Sequence, residues 1–116
     1  MTNQQPRKQF IVLIHDYTDD QALERRMAVR DAHMAKAAMW HDNKDLLCGG
    51  ALFDSHTTRK MVGSMMICQA ESEQDLQDRI ANDPYVVGKV WEKWTIYPYR
   101  NAIGLDKELE GVPVIV

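Results

Sequence analysis

With 116 residues, of which 45% are hydrophobic and 27% charged, the chain has the size and composition of one compact, soluble domain. A formal net charge of -3 gives no sign of a nucleic-acid-binding surface, and no apolar run approaches the roughly 20 residues of a membrane helix. The polar first residues precede only a short apolar run, unlike a signal peptide, so we expect a cytoplasmic protein.

The first part of the chain predicts a strand followed by a long helix. Residues 1–8 are polar and predict a disordered lead, and the β-branched run 10–14 predicts the first strand. A polar connection follows at 16–20. From 20 to 43 the pattern is helical, because large side chains and alanines recur at steps of three and four: Leu23, Met27, Arg30, Met34, Ala37, Ala38 and His41.

The middle of the chain predicts two strands joined by a turn. The second strand covers 46–53 and contains Gly49 and Gly50, which indicate either a bulge or bend or a place where a ligand approaches the backbone. After a turn at 54–59, the apolar run 60–70 predicts the third strand.

The last part predicts a capped helix, a short helical turn and a final strand. Ser72 is a typical N-cap for the second helix, and Asp83 is placed to cap a turn that begins at Pro84. The aromatic run 91–99 predicts the fourth strand. Residues 101–116 predict a tail that docks on the domain or on a dimer partner.

This order of elements is that of an α+β, ferredoxin-like βαββαβ domain, which we place at residues 9–100. Both faces of the predicted sheet are apolar, since Ile11 and Leu13 alternate with other apolar residues along the first strand. Two helices can cover only one face. We therefore expect a homodimer of face-to-face sheets, and the alternative is that the tail covers the second face.

The cysteines and histidines give no sign of a metal or cofactor. Cys48 and Cys68 lie in apolar runs without a CxxC or CxxH spacing, which favours two buried, reduced thiols over a disulfide or redox pair. The four histidines show no spacing typical of metal ligands, and no phosphate-binding loop or dinucleotide fingerprint is present. We therefore expect that the protein uses no metal and no cofactor.

A candidate site follows from three residues of the first helix. Helical spacing places Arg26, Arg30 and His33 on one stripe near the sheet, where buried guanidinium groups need an anionic partner. Such a stripe suits an acidic small molecule. Asp83 is the carboxylate expected to orient His33, and a His–Asp pair is a common acid–base catalyst near neutral pH.

Each of these residues also has a plain structural interpretation. His33 is compatible with an ordinary surface or core histidine, and Asp83 with a helix cap alone. The two roles of Asp83 can coexist if one carboxylate oxygen caps the helix and the other accepts from the imidazole. Gly50, Ser64 and Tyr85 are further candidates for contacts with a ligand.

Four segments of the chain resemble the YCII-related domain family: 24–33, 46–51, 83–88 and 94–99. The resemblance extends over residues 8–100, and its most specific part is the pattern R-x3-R-x2-H combined with a distant Asp-Pro-Tyr. It implies a dimeric α+β barrel and an active site in which His33 pairs with Asp83. One related enzyme type is a dehydrochlorinase that acts on a chlorinated hydroxyquinol, and the wider fold includes muconolactone isomerases. The sequence after Arg100 extends beyond the family pattern.

These observations favour a cofactor-free lyase or isomerase that acts on a small acidic or phenolic molecule. His33 would move a proton, and Asp83 would set its tautomer. Arg26 and Arg30 would hold anionic charge, although one of them is equally suited to a structural ion pair. The alternative is a non-catalytic module that binds a small ligand or mediates dimerisation. A hydrogen-bonded pair beside a concave cavity favours the enzyme, and a His33 in bulk solvent favours the module.

Overall fold

The computed structural model describes residues 7–104, which form a four-stranded antiparallel sheet and three helices. The elements in chain order are β1 (Lys8–Asp16), α1 (Ala22–Asp42), β2 (Leu46–Phe53), β3 (Met61–Ala70), α2 (Glu73–Ala81), α3 (Pro84–Val87) and β4 (Trp91–Tyr99). The strand order β2-β3-β1-β4 is that of the ferredoxin-like α+β fold, and this predicted fold class is confirmed. Residues 1–6 and 105–116, which hold most of the predicted lead and tail, lie outside the described residues.

The elements follow the predicted bounds closely, and β1 differs most. It begins at Lys8, inside the segment 1–8 that the sequence predicts as a disordered lead. The reason is that the backbone of β1 pairs with β3 as far as Lys8 opposite Ala70. Arg7 also has partners, since its guanidinium forms an ion pair with the Asp45 carboxylate.

The hydrophobic core lies between the sheet and its helices. On the helix side of β1, Phe10, Val12 and Ile14 are almost completely buried. They belong to one cluster with residues from most other elements: Trp40, Leu46, Met66, Cys68, Leu76, Ile80, Tyr85, Val90 and Trp91. Because burial of each large apolar side chain stabilises the fold by about 2 kcal/mol, this cluster holds α1 and α2 on one face of the sheet.

The buried face of α1 carries Arg26 and His33 of the predicted polar stripe, whereas Arg30 and the large apolar residues that indicate the helical period lie outside it. Leu23, Met27 and Met34 are exposed, at 57%, 58% and 47% accessible. The buried and half-buried residues of this helix include instead Arg26, Val29, His33, Ala37 and Trp40. The exposed and the buried sets have the same spacing and differ by one residue, or about 100° of rotation, so spacing alone does not choose between them. Although α1 has 21 residues, no helix of the described part of the chain is long and apolar enough to cross a membrane.

The second face of the sheet is apolar, and no element within residues 7–104 covers it. Ile11 and Leu13 of β1 alternate with the core residues, as do Met65 and Ile67 opposite them on β3. Leu13 is 36% accessible, and Tyr97 of β4 is 49% accessible. The helices therefore cover only one face, as the sequence predicts.

Cys48 and Cys68 are free and have different environments. Cys68 is buried, and burial raises the pKa of its thiol to about 12, so the thiol stays protonated near neutral pH. Cys48 is exposed, so the prediction that both thiols are buried is wrong for this residue. The reason is its place on β2, which is an edge strand with a neighbour on only one side.

Candidate functional site

His33 and Asp83 form a hydrogen-bonded pair, although they are 50 positions apart in the sequence. The distance from His33 Nδ1 to Asp83 Oδ1 is 2.8 Å. The Asp83 side chain is completely buried, whereas the His33 side chain is 12% accessible. The pair forms because α1 carries His33 on a face that packs against α3, and Asp83 is the N-cap of α3. The structure thus brings together the two residues that the sequence singles out.

Asp83 uses a single oxygen for both of its contacts. Its Oδ1 accepts hydrogen bonds from His33 Nδ1 and from the backbone N–H of Tyr85, each at 2.8 Å. The assignment of the two roles to separate oxygens is therefore wrong, and Oδ2 is buried without a hydrogen-bond partner in the described part of the chain. The local sequence explains the cap, because Pro84 favours an extended Asp83 and suits the first position of a helix.

The Asp83 carboxylate determines the tautomer of the His33 ring. A carboxylate only accepts hydrogen bonds, so Nδ1 of His33 carries the proton in this contact. Nε2 is then the nitrogen that remains to exchange a proton with a bound molecule. This is the arrangement of an acid–base pair in which a buried carboxylate orients an imidazole.

Two aromatic rings contact the His33 imidazole. The Tyr85 ring is stacked on it, with centroids 3.8 Å apart and an interplanar angle of 12°. The Trp91 ring lies at 5.2 Å and 78°. The sequence places Trp91 only in the predicted fourth strand, since its contact with His33 depends on how α3 and the start of β4 pack together.

A cavity of about 610 Å³ lies beside the pair, between α1 and strands β2 and β3. All five residues predicted to contact a ligand line it together with His33: Arg26, Arg30, Gly50, Ser64 and Tyr85. Much of the remaining wall consists of methionines and tryptophans: Met34, Met61, Met66, Trp40 and Trp91. A cavity of this size with mostly apolar walls suits a small organic molecule.

Arg26 has a partner within the protein. Its Nη2 lies 2.7 Å from Oδ2 of Asp16, and the two side chains are only 6% and 8% accessible. The guanidinium also lies over the Tyr85 ring, 4.8 Å from its centroid. Arg26 is therefore the arginine that makes a structural ion pair. The sequence does not predict this partner, because Asp16 falls in the predicted polar connection, whereas in the structure it is the last residue of β1.

Arg30 is the arginine that remains for a ligand. It is exposed, lines the cavity and has no carboxylate partner among the described residues. In this part of the chain no Asp or Glu lines the cavity, whereas His41 contributes a second imidazole to the wall. Within residues 7–104, no three His, Cys, Asp or Glu side chains form a group that could hold a metal ion. The charges at the cavity therefore suit an anionic molecule.

Ser64 and Gly50 occupy different positions on the sheet. Ser64 is 7% accessible and pairs with Ile14 on the buried face. Gly49 and Gly50 pair regularly with β3, and the register shifts of β2 lie between Leu46 and Cys48 and between Leu52 and Phe53, so neither glycine itself forms a bulge. A side chain at Gly50 would meet open space, so the packing of the protein itself does not require a glycine there.

Tyr85 is buried, at 2% accessible. Burial raises the pKa of its hydroxyl, against the opposing effect of the Arg26 and Arg30 charges. The hydroxyl therefore stays protonated near neutral pH, and Tyr85 does not provide a base to the site.

Comparison with known proteins identifies one family and several relatives. The model of the YCII-related domain family matches residues 10–100. Protein YciI of Escherichia coli is 34% identical over 97 residues, which are 80% of this chain and 97% of the relative. An uncharacterized protein of Haemophilus influenzae is 33% identical over 84 residues, 69% of this chain and 86% of its own length. Aspercryptin biosynthesis cluster protein B of Emericella nidulans is 26% identical over 90 residues, 73% of this chain and 56% of its own length.

Among solved structures, the 5-chloro-2-hydroxyhydroquinone dehydrochlorinase of Burkholderia phenoliruptrix is similar, with a TM-score of 0.65 and 20% sequence identity. It was solved in complex with 2,5-dihydroxybenzoquinone. The likeness covers 81% of this chain and 95% of the dehydrochlorinase. At this identity it shows that the two proteins share a fold.

Proposed function

The chain belongs to the YCII-related domain family, and on that premise we propose that it is a cofactor-free lyase or isomerase acting on a small acidic or phenolic molecule. The observation that carries this proposal is the 2.8 Å hydrogen bond between His33 and the buried Asp83. His33 also lines a cavity together with Arg30 and Ser64, so the pair has access to a bound molecule.

His33 is the proton carrier in this proposal. Its Nε2 takes a proton from a carbon or hydroxyl group of the substrate, and the Asp83 carboxylate stabilises the imidazolium that forms. In a lyase the electron pair released from the broken bond expels a leaving group as an anion, and the imidazolium then gives its proton to that anion or to water. In an isomerase the same proton returns to another carbon. Neither path consumes an oxidant or a cofactor.

Arg30 supplies the positive charge that holds the substrate. It lies on the same helix face as His33, one turn earlier, and its guanidinium suits a carboxylate or a phenolate. The dehydrochlorinase with the same fold was solved with 2,5-dihydroxybenzoquinone, a flat ring with several oxygens. A molecule of that shape and acidity fits the apolar walls and the cationic residue of this cavity.

A screen of catechols, lactones and short carboxylic acids tests the proposed reaction. We expect turnover by the parent protein and a loss of about 100-fold or more in His33→Ala, because the proton carrier is removed. His56→Ala is the matched control, since His56 is exposed and does not line the cavity. Binding of these molecules without turnover by the parent would instead identify a non-catalytic binding module.

We also propose that the protein is a homodimer in which two sheets pack face to face, as in a dimeric α+β barrel. The support is the open apolar sheet face that includes Ile11, Leu13, Met65, Ile67 and Tyr97. A contiguous apolar face of this kind is unusual on a monomer.

Replacement of Leu13 by lysine is expected to dissociate the proposed dimer. Leu13 lies on β1, a central strand, so the variant would bury a charge from each subunit in the interface. Leu23→Lys is the matched control, because Leu23 is exposed on α1, away from the sheet face. Sedimentation velocity at micromolar concentration compares the three proteins. A parent protein that sediments as a stable monomer would contradict the proposal.

A further inference from the structure

We infer that Tyr85 is a positioning residue whose ring holds the His33 imidazole in one plane, so that Nε2 points in one direction. The use of this orientation in catalysis rests on the proposed function. The orientation itself is a property of the folded protein and can be measured without a substrate.

A single hydrogen bond does not fix the plane of an imidazole ring. The contact from His33 Nδ1 to Asp83 sets a distance and a tautomer, but the ring can still turn about that contact. The Tyr85 ring, stacked at 3.8 Å and 12°, opposes this rotation across one face. The Trp91 ring, at 78° to the imidazole, restricts it from a second direction. The three contacts together favour one orientation.

Tyr85 is itself held through both its backbone and its ring. Its N–H donates to the same Asp83 oxygen that accepts from His33, so the imidazole and its stacking partner share one anchor. Its ring contacts the guanidinium of Arg26, which Asp16 binds at 2.7 Å. Side-chain contacts therefore connect Asp16 to Arg26, Arg26 to Tyr85, and Tyr85 to His33 in one continuous column. This column gives a reason for burying an ion pair that the proposed reaction does not use directly.

The ring of Tyr85, rather than its hydroxyl, has this role. Tyr85 is 2% accessible, which leaves little of its surface for a ligand. Phenylalanine should therefore replace it in positioning, whereas an aliphatic residue should not. If the site required only an apolar side chain in the core, phenylalanine and an aliphatic residue would both replace Tyr85.

The experiment compares Tyr85→Phe, Tyr85→Leu and the parent by nitrogen NMR of the histidine side chains, with the rings neutral. Tyr17→Leu is the matched control, because Tyr17 also contacts an arginine, Arg25, but does not line the cavity. Long-range proton–nitrogen spectra report the Nδ1 and Nε2 shifts of His33 separately. These shifts are far apart in a single tautomer, and they converge when the ring turns far enough to break its Nδ1 contact with Asp83 and exchange its proton. If Tyr85→Leu does not fold, Tyr85→Met fills the same buried site.

We expect widely separated His33 shifts in the parent, in Tyr85→Phe and in Tyr17→Leu, and converging shifts in Tyr85→Leu or Tyr85→Met. On a substrate identified in the screen, the aliphatic variant should lose up to about 100-fold in kcat with little change in KM, as for a misplaced catalytic group. A folded aliphatic variant with the parent shifts would overturn the inference. Convergence in Tyr85→Phe would also overturn it, because the hydroxyl would then be responsible.

Failure of the proposed function gives a different result. If no compound in the screen is turned over but the shifts converge in the aliphatic variant, positioning by Tyr85 is retained and the reaction is rejected. If His33→Ala abolishes turnover while the aliphatic variant keeps the parent shifts, the reaction is retained and the positioning role is rejected.

Discussion

Replacement of Asp83 by asparagine is expected to lower turnover by about 10- to 100-fold while the His33 tautomer stays the same. One oxygen of Asp83 accepts from both His33 and the Tyr85 N–H. If the asparagine turned its amide nitrogen towards His33, that nitrogen would also face the Tyr85 N–H, and two donors would meet. The contact with the Tyr85 N–H therefore keeps the amide oxygen in place. Only the negative charge is then lost, and a hydrogen bond to a charged group contributes about 1.5–3 kcal/mol.

Asp83→Ala should have a larger effect, because it removes the hydrogen bond as well as the charge. We expect a loss of about 100- to 10,000-fold and no larger than that of His33→Ala, because the histidine loses the carboxylate that holds its tautomer. Loss of the cap should also reduce the free energy of unfolding by about 1 kcal/mol. Ser72→Ala is the matched control for that effect, since Ser72 caps α2 by accepting from the Asp75 N–H.

Turnover and histidine nitrogen shifts, measured on the same samples, test this prediction. An asparagine variant with parent turnover would show that the charge of Asp83 has no part in the reaction. Inverted Nδ1 and Nε2 shifts in that variant would show that the amide had turned and that the cap does not control its orientation.

The largest effect on stability is expected for Arg26→Met, which should lower the free energy of unfolding by about 3–5 kcal/mol. The substitution leaves Asp16, at 8% accessible, as a buried carboxylate without its cation. Methionine fills much of the volume of the arginine side chain, so loss of the ion pair rather than a cavity should dominate. Chemical denaturation followed by circular dichroism measures the change.

Two further variants identify the cause of this loss. Arg25→Met is the matched control on the same helix, because the pair of Arg25 with Asp19 has the same 2.7 Å distance but is exposed. It should change stability little, since water screens exposed pairs. The double variant Asp16→Leu with Arg26→Met should recover much of the loss, because it removes both buried charges. A double variant as unstable as Arg26→Met alone would rule out the unpaired charge as the cause.

The elements of this fold are those that the sequence predicts, because their determinants lie close together along the chain. The bounds of β2 and β4 match the predicted runs, and the α2 cap at Ser72 depends on a contact three residues away. Asp83 and Pro84 likewise start α3 by local rules of backbone conformation. The pairing of His33 with Asp83 was also predicted, from residue chemistry and from the resemblance to a family.

The surroundings of that pair depend on the tertiary structure. The spacing of large side chains predicts α1 as a helix but does not show which face is buried, and the packing of Trp40 and Arg26 decides it. The partner of Arg26 is Asp16, and the ring stacked on His33 is Tyr85. These contacts join different elements, so they depend on strand register and on the angles at which helices pack. The sequence therefore predicts which chemical groups form the candidate site, whereas the tertiary structure determines their partners and orientations.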